Sequence, residues 1–130
     1  KNGEEIEVEA KIDTGAYSTS VDTELARKLG FGEVLEKFST LDLSEYQIKP
    51  ENEKKIKESF EQKYKPMFES LEGVAVVFSA SGSSLRPVIK LEFEMDGERV
   101  FSLANLVERK NLKYSMLIGR KDLRKFLIQV

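Results

Sequence analysis

Ile12-Asp13-Thr14-Gly15-Ala16 has a partner near the other end of the chain, Met116-Leu117-Ile118-Gly119-Arg120, and the fold is read from the two together. An apolar segment running into Asp-Thr-Gly puts a carboxylate on a tight turn, and Gly15 lets another backbone or a substrate come close to it. Taken alone, Asp-Thr-Gly reads equally well as an ordinary polar turn after a strand. The second stretch adds two apolar residues, a glycine, an arginine and then a short helical segment.

Working outward, the residues from Glu4 to Ile12 alternate charged and apolar at Ile6, Val8, Ala10 and Ile12, the period of a half-buried strand. Asn2-Gly3 is a hairpin-turn dipeptide, so a strand is expected before Lys1. Ser18 to Val21 reads as the strand leaving the turn. Asp22 then caps a short helix through Leu29, with Leu25, Ala26 and Leu29 on one face and Gly30 as its stop.

Ser44 to Leu71 is rich in Glu and Lys, with Ile56, Phe60, Tyr64 and Phe68 at helical spacing. Pro66 kinks or splits the segment. The expectation is an amphipathic helical insertion at about 44–71 laid against a sheet, with substrate gating or partner binding as the alternative. From Gly73 the chain returns to strands: Val74 to Phe78, then Leu85 to Met95 after a small-residue loop, Ser79 to Ser84. Asp96-Gly97 is a two-residue hairpin signal leading into Arg99 to Leu106. Tyr114 to Ile118 follows, then a helical turn Lys121 to Lys125 and a closing strand Phe126 to Val130. The pattern predicts a mostly β architecture, a small closed or near-closed barrel with short helices.

A chain of 130 residues supports one core rather than two lobes. With 21 basic and 23 acidic residues its net charge of -2 provides no attraction to nucleic acid or anionic membrane. The longest apolar run is far short of the ~20 residues of a membrane span. No signal-peptide pattern is visible and the expected location is cytoplasmic, although the chain opens at Lys1 without Met, which leaves room for an upstream segment. The absence of Cys and His excludes disulfides, a thiol nucleophile and any Ser-His or Cys-His relay. A catalytic zinc would need an all-oxygen ligand set, which suits zinc poorly, so no metal and no cofactor are expected. There is no phosphate-cradling G-x-x-x-x-G-K-[ST] loop. Carboxylate chemistry remains.

At Ile12 to Ala16 and Met116 to Arg120 the chain resembles the retropepsin-like family, the single-lobe aspartic peptidases. Within it the chain is most similar to the bacterial and archaeal branch found near ATP-grasp ligases, often labelled "ATP-dependent zinc protease". The resemblance covers Ile6 to Phe31 and Arg86-Pro87-Val88 to the end, including Asn105-Leu106 and Arg109. The segment from Leu41 to Glu72 lies outside it. It implies that residues 1–130 form one retropepsin-like lobe, half of a dimeric aspartic peptidase, with Asp13, Thr14 and Gly15 as catalytic residues. In the family the Thr14 hydroxyl bonds across the dimer axis, and Gly15 offers its N–H to the carboxylate. Leu117, Ile118 and Gly119 are expected to pack under the Asp turn, and Arg120 to pair with a carboxylate such as Asp22. Tyr17 and Ser18 stand where the family has an acidic residue, so its dimer-interface salt bridge lacks a partner here. Ala16 cannot donate the hydrogen bond by which a Ser would stabilise ionised Asp13, which favours activity nearer neutral pH than in strongly acidic peptidases.

Peptide hydrolysis by carboxylates needs two of them at one water, one ionised to take a proton and one protonated to donate. The chain has a single Asp-Thr-Gly, so Asp13 from two subunits has to meet across a twofold axis. Asp22, Asp42, Asp96 and Asp122 lack the Thr-Gly context and read as caps, turns or solvated charges. Ala16, Ser81, Gly82 and Ser83 are the candidate substrate and flap residues, the last three at the tip of a hairpin from Val74 to Val88, which otherwise reads as a plain surface hairpin. The leading reading is a homodimeric aspartic endopeptidase acting on a peptide or protein. The alternatives are a non-catalytic peptide-binding module on the same fold and a hydrolase that trims a ligase-made peptide tail. Chelators are expected to leave peptidase activity unchanged in a direct assay; loss with a chelator and restoration by zinc would contradict the carboxylate mechanism.

Overall fold

The computed structural model describes residues 5–44, 46–79, 82–108 and 113–126. Among the described residues six strands form one mixed sheet in the order β1-β6-β2-β5-β4-β3. They are β1 (Ala10–Asp13), β2 (Ser20–Asp22), β3 (Gly73–Ser79), β4 (Gly82–Met95), β5 (Glu98–Val107) and β6 (Met116–Gly119). Three helices accompany them, α1 (Thr23–Ala26), α2 (Gly32–Ser39) and α3 (Glu53–Lys63).

The sheet is mostly antiparallel at the β3-β4-β5 end and mixed at the other. Asp96-Gly97 forms the two-residue connection between β4 and β5, with Met95 opposite Glu98. Both turn residues have positive φ, 53° and 76°, the primed turn whose twist matches the strands it joins. At the other end β2 pairs in parallel with β5 and antiparallel with β6, and β6 pairs in parallel with β1. The expected barrel closure is not found. Among the described residues β1 and β3 are the two edges and do not pair with each other. Strand alternation reports which face is buried and carries no information on whether the edges meet.

Strand boundaries differ from the sequence expectation mainly at the N-terminal end. Only Ala10–Asp13 of the alternating stretch is a strand, and residues 5–9 run exposed with no ladder partner among the described residues. Asp22 caps α1 as expected, accepting from the Glu24 N–H at 3.0 Å. The helix stops at Gly30 as expected: the turn over Arg27–Phe31 widens, Gly30 takes a left-handed conformation (φ 101°), and α2 starts beyond it as a second helix. Phe126 belongs to a 3-10 segment, Arg120–Phe126, rather than to a closing strand. The rest of that expected strand, together with Asn2-Gly3 and Arg109, lies outside the described residues.

The helical insertion packs as the apolar stripe requires. Ile56 and Phe60 are the buried face of α3, which lies against β3, while α2 lies against β4 and α1 against β5. Pro66 ends the helix instead of splitting it in two: α3 stops at Lys63 and a 3-10 turn, Lys65–Met67, follows. Phe60 is fully buried, with Phe38 and Tyr64 rings 5.9 and 5.3 Å away. The core joins this cluster to Val21, Ile89, Leu91, Ala104, Leu106, Met116 and Ile118 of the sheet. If the insertion is part of that one core, Phe60→Ala lowers global stability by ~3–5 kcal/mol in urea unfolding. A loss below ~1 kcal/mol would show that the insertion is an appendage.

Candidate active site

β1 and β6 bring the two sequence motifs side by side. In the parallel register Ile12 faces Ile118 and Asp13 faces Gly119. Asp13 ends β1 half-buried, and the chain turns at once, with the Ala16 N–H donating to the Asp13 carbonyl at 3.2 Å. The Gly15 N–H donates to Asp13 Oδ1 at 2.9 Å, so the carboxylate is oriented by its own turn.

Gly119 sits where no side chain fits. A Cβ there would lie 2.5 Å from the carbonyl carbon and oxygen of Ser18 and 2.6 Å from the Tyr17 oxygen. The backbone after the Asp turn therefore passes directly over β6, and the two are stitched together. The Arg120 N–H donates to the Ala16 carbonyl at 2.8 Å and the Lys121 N–H to that of Tyr17 at 3.0 Å. Leu117 is half-buried and Ile118 buried beside them. They flank the Asp turn as neighbours in the sheet.

Arg120 does not pair with Asp22. Asp22 is 5% exposed and engaged at the α1 cap, whereas the Arg120 guanidinium stacks on Tyr17 at 5.3 Å and reaches the Thr14 carbonyl at 3.4 Å. Among the described residues no carboxylate is within ion-pair reach of Arg120. Lys121 Nζ also lies over the Tyr17 ring, at 5.7 Å. An aromatic ring thus receives two cations beside the Asp13 turn, a contact worth about 0.5–1 kcal/mol at an exposed site.

A buried polar layer lies beneath. Thr19, Ser20, Ser102 and Asn105 are each at most 8% exposed. The Thr19 carbonyl accepts from the Asn105 backbone and side-chain N–H groups at 3.0 and 3.2 Å. The Asn105 Oδ1 accepts from the Ser20 hydroxyl at 3.1 Å and from Arg86 Nη1 at 3.2 Å. Asp122, expected to be a cap, turn or solvated charge, belongs to this layer. Its Oδ2 accepts from the Thr19 and Ser102 hydroxyls, both at 2.5 Å. The missed signal is Ser102: strand alternation puts it inward between Val100 and Ala104, and a hydroxyl at a core position implies a buried partner.

The hairpin of the flap expectation exists as β3 and β4, paired from Gly73 opposite Val88 to Ser79 opposite Gly82. Gly82 and Ser83 are strand residues at its end, Ser83 opposite Phe78, so the loop is shorter than Ser79 to Ser84. Ser81 lies outside the described residues. In the sheet order this hairpin forms the edge opposite β1. No cluster of candidate metal ligands occurs among the described residues, and no helix among them is long and apolar enough to cross a membrane.

Gly119→Ala is expected to cost about 3 kcal/mol or more, the upper range for overpacking, because the atoms it meets are backbone. Denaturant unfolding checks it; a change under ~1 kcal/mol would mean that the turn does not press on β6 as described.

A family model described as retropepsin-like aspartic endopeptidase RimB, or RimB-like, matches residues 2–130. No curated protein matches the chain. Among solved structures, a crystal structure of a protein of unknown function (DUF785) from Legionella pneumophila subsp. pneumophila strain Philadelphia 1 is similar at 18% identity and a TM-score of 0.44. The alignment covers 92% of this chain and 76% of that one. These matches do not bear on the narrower ATP-grasp-associated branch. With the family model spanning nearly the whole chain, over the Asp13 turn and the Gly119 strand alike, the protein belongs to the RimB-like family of retropepsin-like aspartic endopeptidases.

Proposed function

We propose that this protein is an aspartic endopeptidase that works as a homodimer, with one Asp13 from each subunit activating water against a peptide bond. The observation that carries this reading is the placement of Asp13. Its carboxylate is held by the Gly15 N–H, at the end of an edge strand, half-buried rather than sealed in the core. One carboxylate cannot both accept and donate a proton in the same step, so a second has to come from elsewhere. A second copy supplies it when the two edges approach.

The surface around β1 supports such a partner. Ile6, Val8, Ile12 and Tyr17 are 40–57% exposed, an unusual amount of apolar surface along one edge strand and its flanks. In this reading residues 1–130 are one lobe of the dimer. Gly15 leaves room for substrate backbone, Thr14 braces the two turns across the axis, and Ala16 lines the cleft. The β3–β4 hairpin, whose described end carries Gly82 and Ser83, is the candidate cover that excludes water when a peptide is bound.

The ionised carboxylate takes a proton from water as the oxygen attacks the carbonyl carbon, and the protonated carboxyl gives its proton to the carbonyl oxygen. The diol so formed then collapses, the C–N bond breaks, and the amine leaves with a proton returned through the pair. A peptide-library assay tests the reading. Asp13→Asn is expected to lower turnover at least ~100-fold while the chain stays folded, and specific activity should rise with protein concentration as dimer forms. Full activity in the Asn variant, or in a strict monomer, would overturn it.

A further inference from the structure

We propose that Asp122 is a positioning residue for Asp13, acting through the Thr19 hydroxyl and Gly119; the proposal rests on the peptidase reading for its kinetic consequence only. Both hydroxyls that meet Asp122 Oδ2 donate to it. A hydroxyl has one proton to give. Thr19 commits it to Asp122, and its lone pairs then face the Gly119 N–H, which donates to Thr19 Oγ1 at 3.2 Å. Asp122 thereby fixes the direction of a chain that ends on the residue registered opposite Asp13.

These hydrogen bonds tie together three segments far apart in sequence. Thr19 immediately precedes β2, Ser102 belongs to β5 and Asp122 to the 3-10 segment after β6. The same segment supplies the Arg120 and Lys121 N–H groups that grip the turn at Ala16 and Tyr17. Thr19 is fully buried and Ser102 is 2% exposed, and Asp122, half-buried, is the acceptor for both hydroxyls. Without Asp122 the two hydroxyls reorient, Gly119 loses a defined acceptor, and the 3-10 segment is free to shift against the turn that aims the carboxylate.

Both bonds fall on one oxygen, and this separates positioning from charge. The carbonyl oxygen of Asn can accept both, whereas Ala accepts neither. In the full chain, Asp122→Asn is expected to keep kcat within about threefold, while Asp122→Ala lowers kcat by ~100-fold with KM within about threefold, as for a displaced catalytic group. Ser102→Ala, which removes one of the two bonds and leaves Thr19 intact, is expected to fall between them and covers the case in which Asp122→Ala does not fold. The Gly15 amide, bonded to Asp13 Oδ1, provides a readout independent of turnover: its NMR resonance should shift in Asp122→Ala and stay near the wild-type position in Asp122→Asn. An unmoved Gly15 resonance in folded Asp122→Ala, or a loss in Asp122→Asn as large as in Ala, would overturn the proposal. A wild-type chain with no peptidase activity would defeat the peptidase reading alone, and the Gly15 resonance would still decide this one.

Discussion

The close approach of the Tyr17-Ser18 backbone to Gly119 is the constraint from which the site is built. In the parallel pairing of β1 with β6 the two strands end together, which sets Asp13 against Gly119. Only a residue without Cβ lets the chain fold back over that point. Once it does, the N–H groups of Arg120 and Lys121 reach the turn carbonyls, and the carboxylate is left where its own Gly15 N–H can hold it. Distant parts of the chain thus become one rigid corner. The same corner leaves the outer edge of β1 unpaired among the described residues, with apolar side chains standing around it.

The core and the corner use different forces. Helices α1 to α3 cover the sheet with apolar side chains, and the gain there scales with area and tolerates small shifts. Beneath the turn the contacts are hydrogen bonds between buried groups, which are worth little when made and cost much when broken. Thr19, Asn105, Ser102 and Asp122 therefore specify geometry more than they add stability. A polar layer is suited to aiming a carboxylate, because each bond constrains direction as well as distance.

Much of this was legible in the sequence. The adjacency of the two motifs follows from the family resemblance that Asp-Thr-Gly and the Leu117-Ile118-Gly119 run carry, and the β4–β5 hairpin from Asp96-Gly97. The apolar stripe of Ile56 and Phe60 foretold a helix on the core, because its period is local. Closure was not legible, since the pairing of edges depends on accumulated twist rather than on any residue pattern. The expected ionic partner of Arg120 gives way to the ring of Tyr17. The partners of Asp122, Thr19 and Ser102, are remote in sequence and leave no spacing to read; only the inward hydroxyl of Ser102 hints at them.

One experiment bears on the central claim most directly, that catalysis needs an Asp13 from each of two chains. Wild-type and Asp13→Asn chains are mixed in varied ratio, allowed to exchange subunits, and assayed at fixed total concentration. If only dimers with both carboxylates turn over, activity follows the square of the wild-type fraction, about one quarter of full activity in an equal mixture. Activity proportional to the wild-type fraction, about one half in that mixture, would mean that a single Asp13 suffices and would contradict the account.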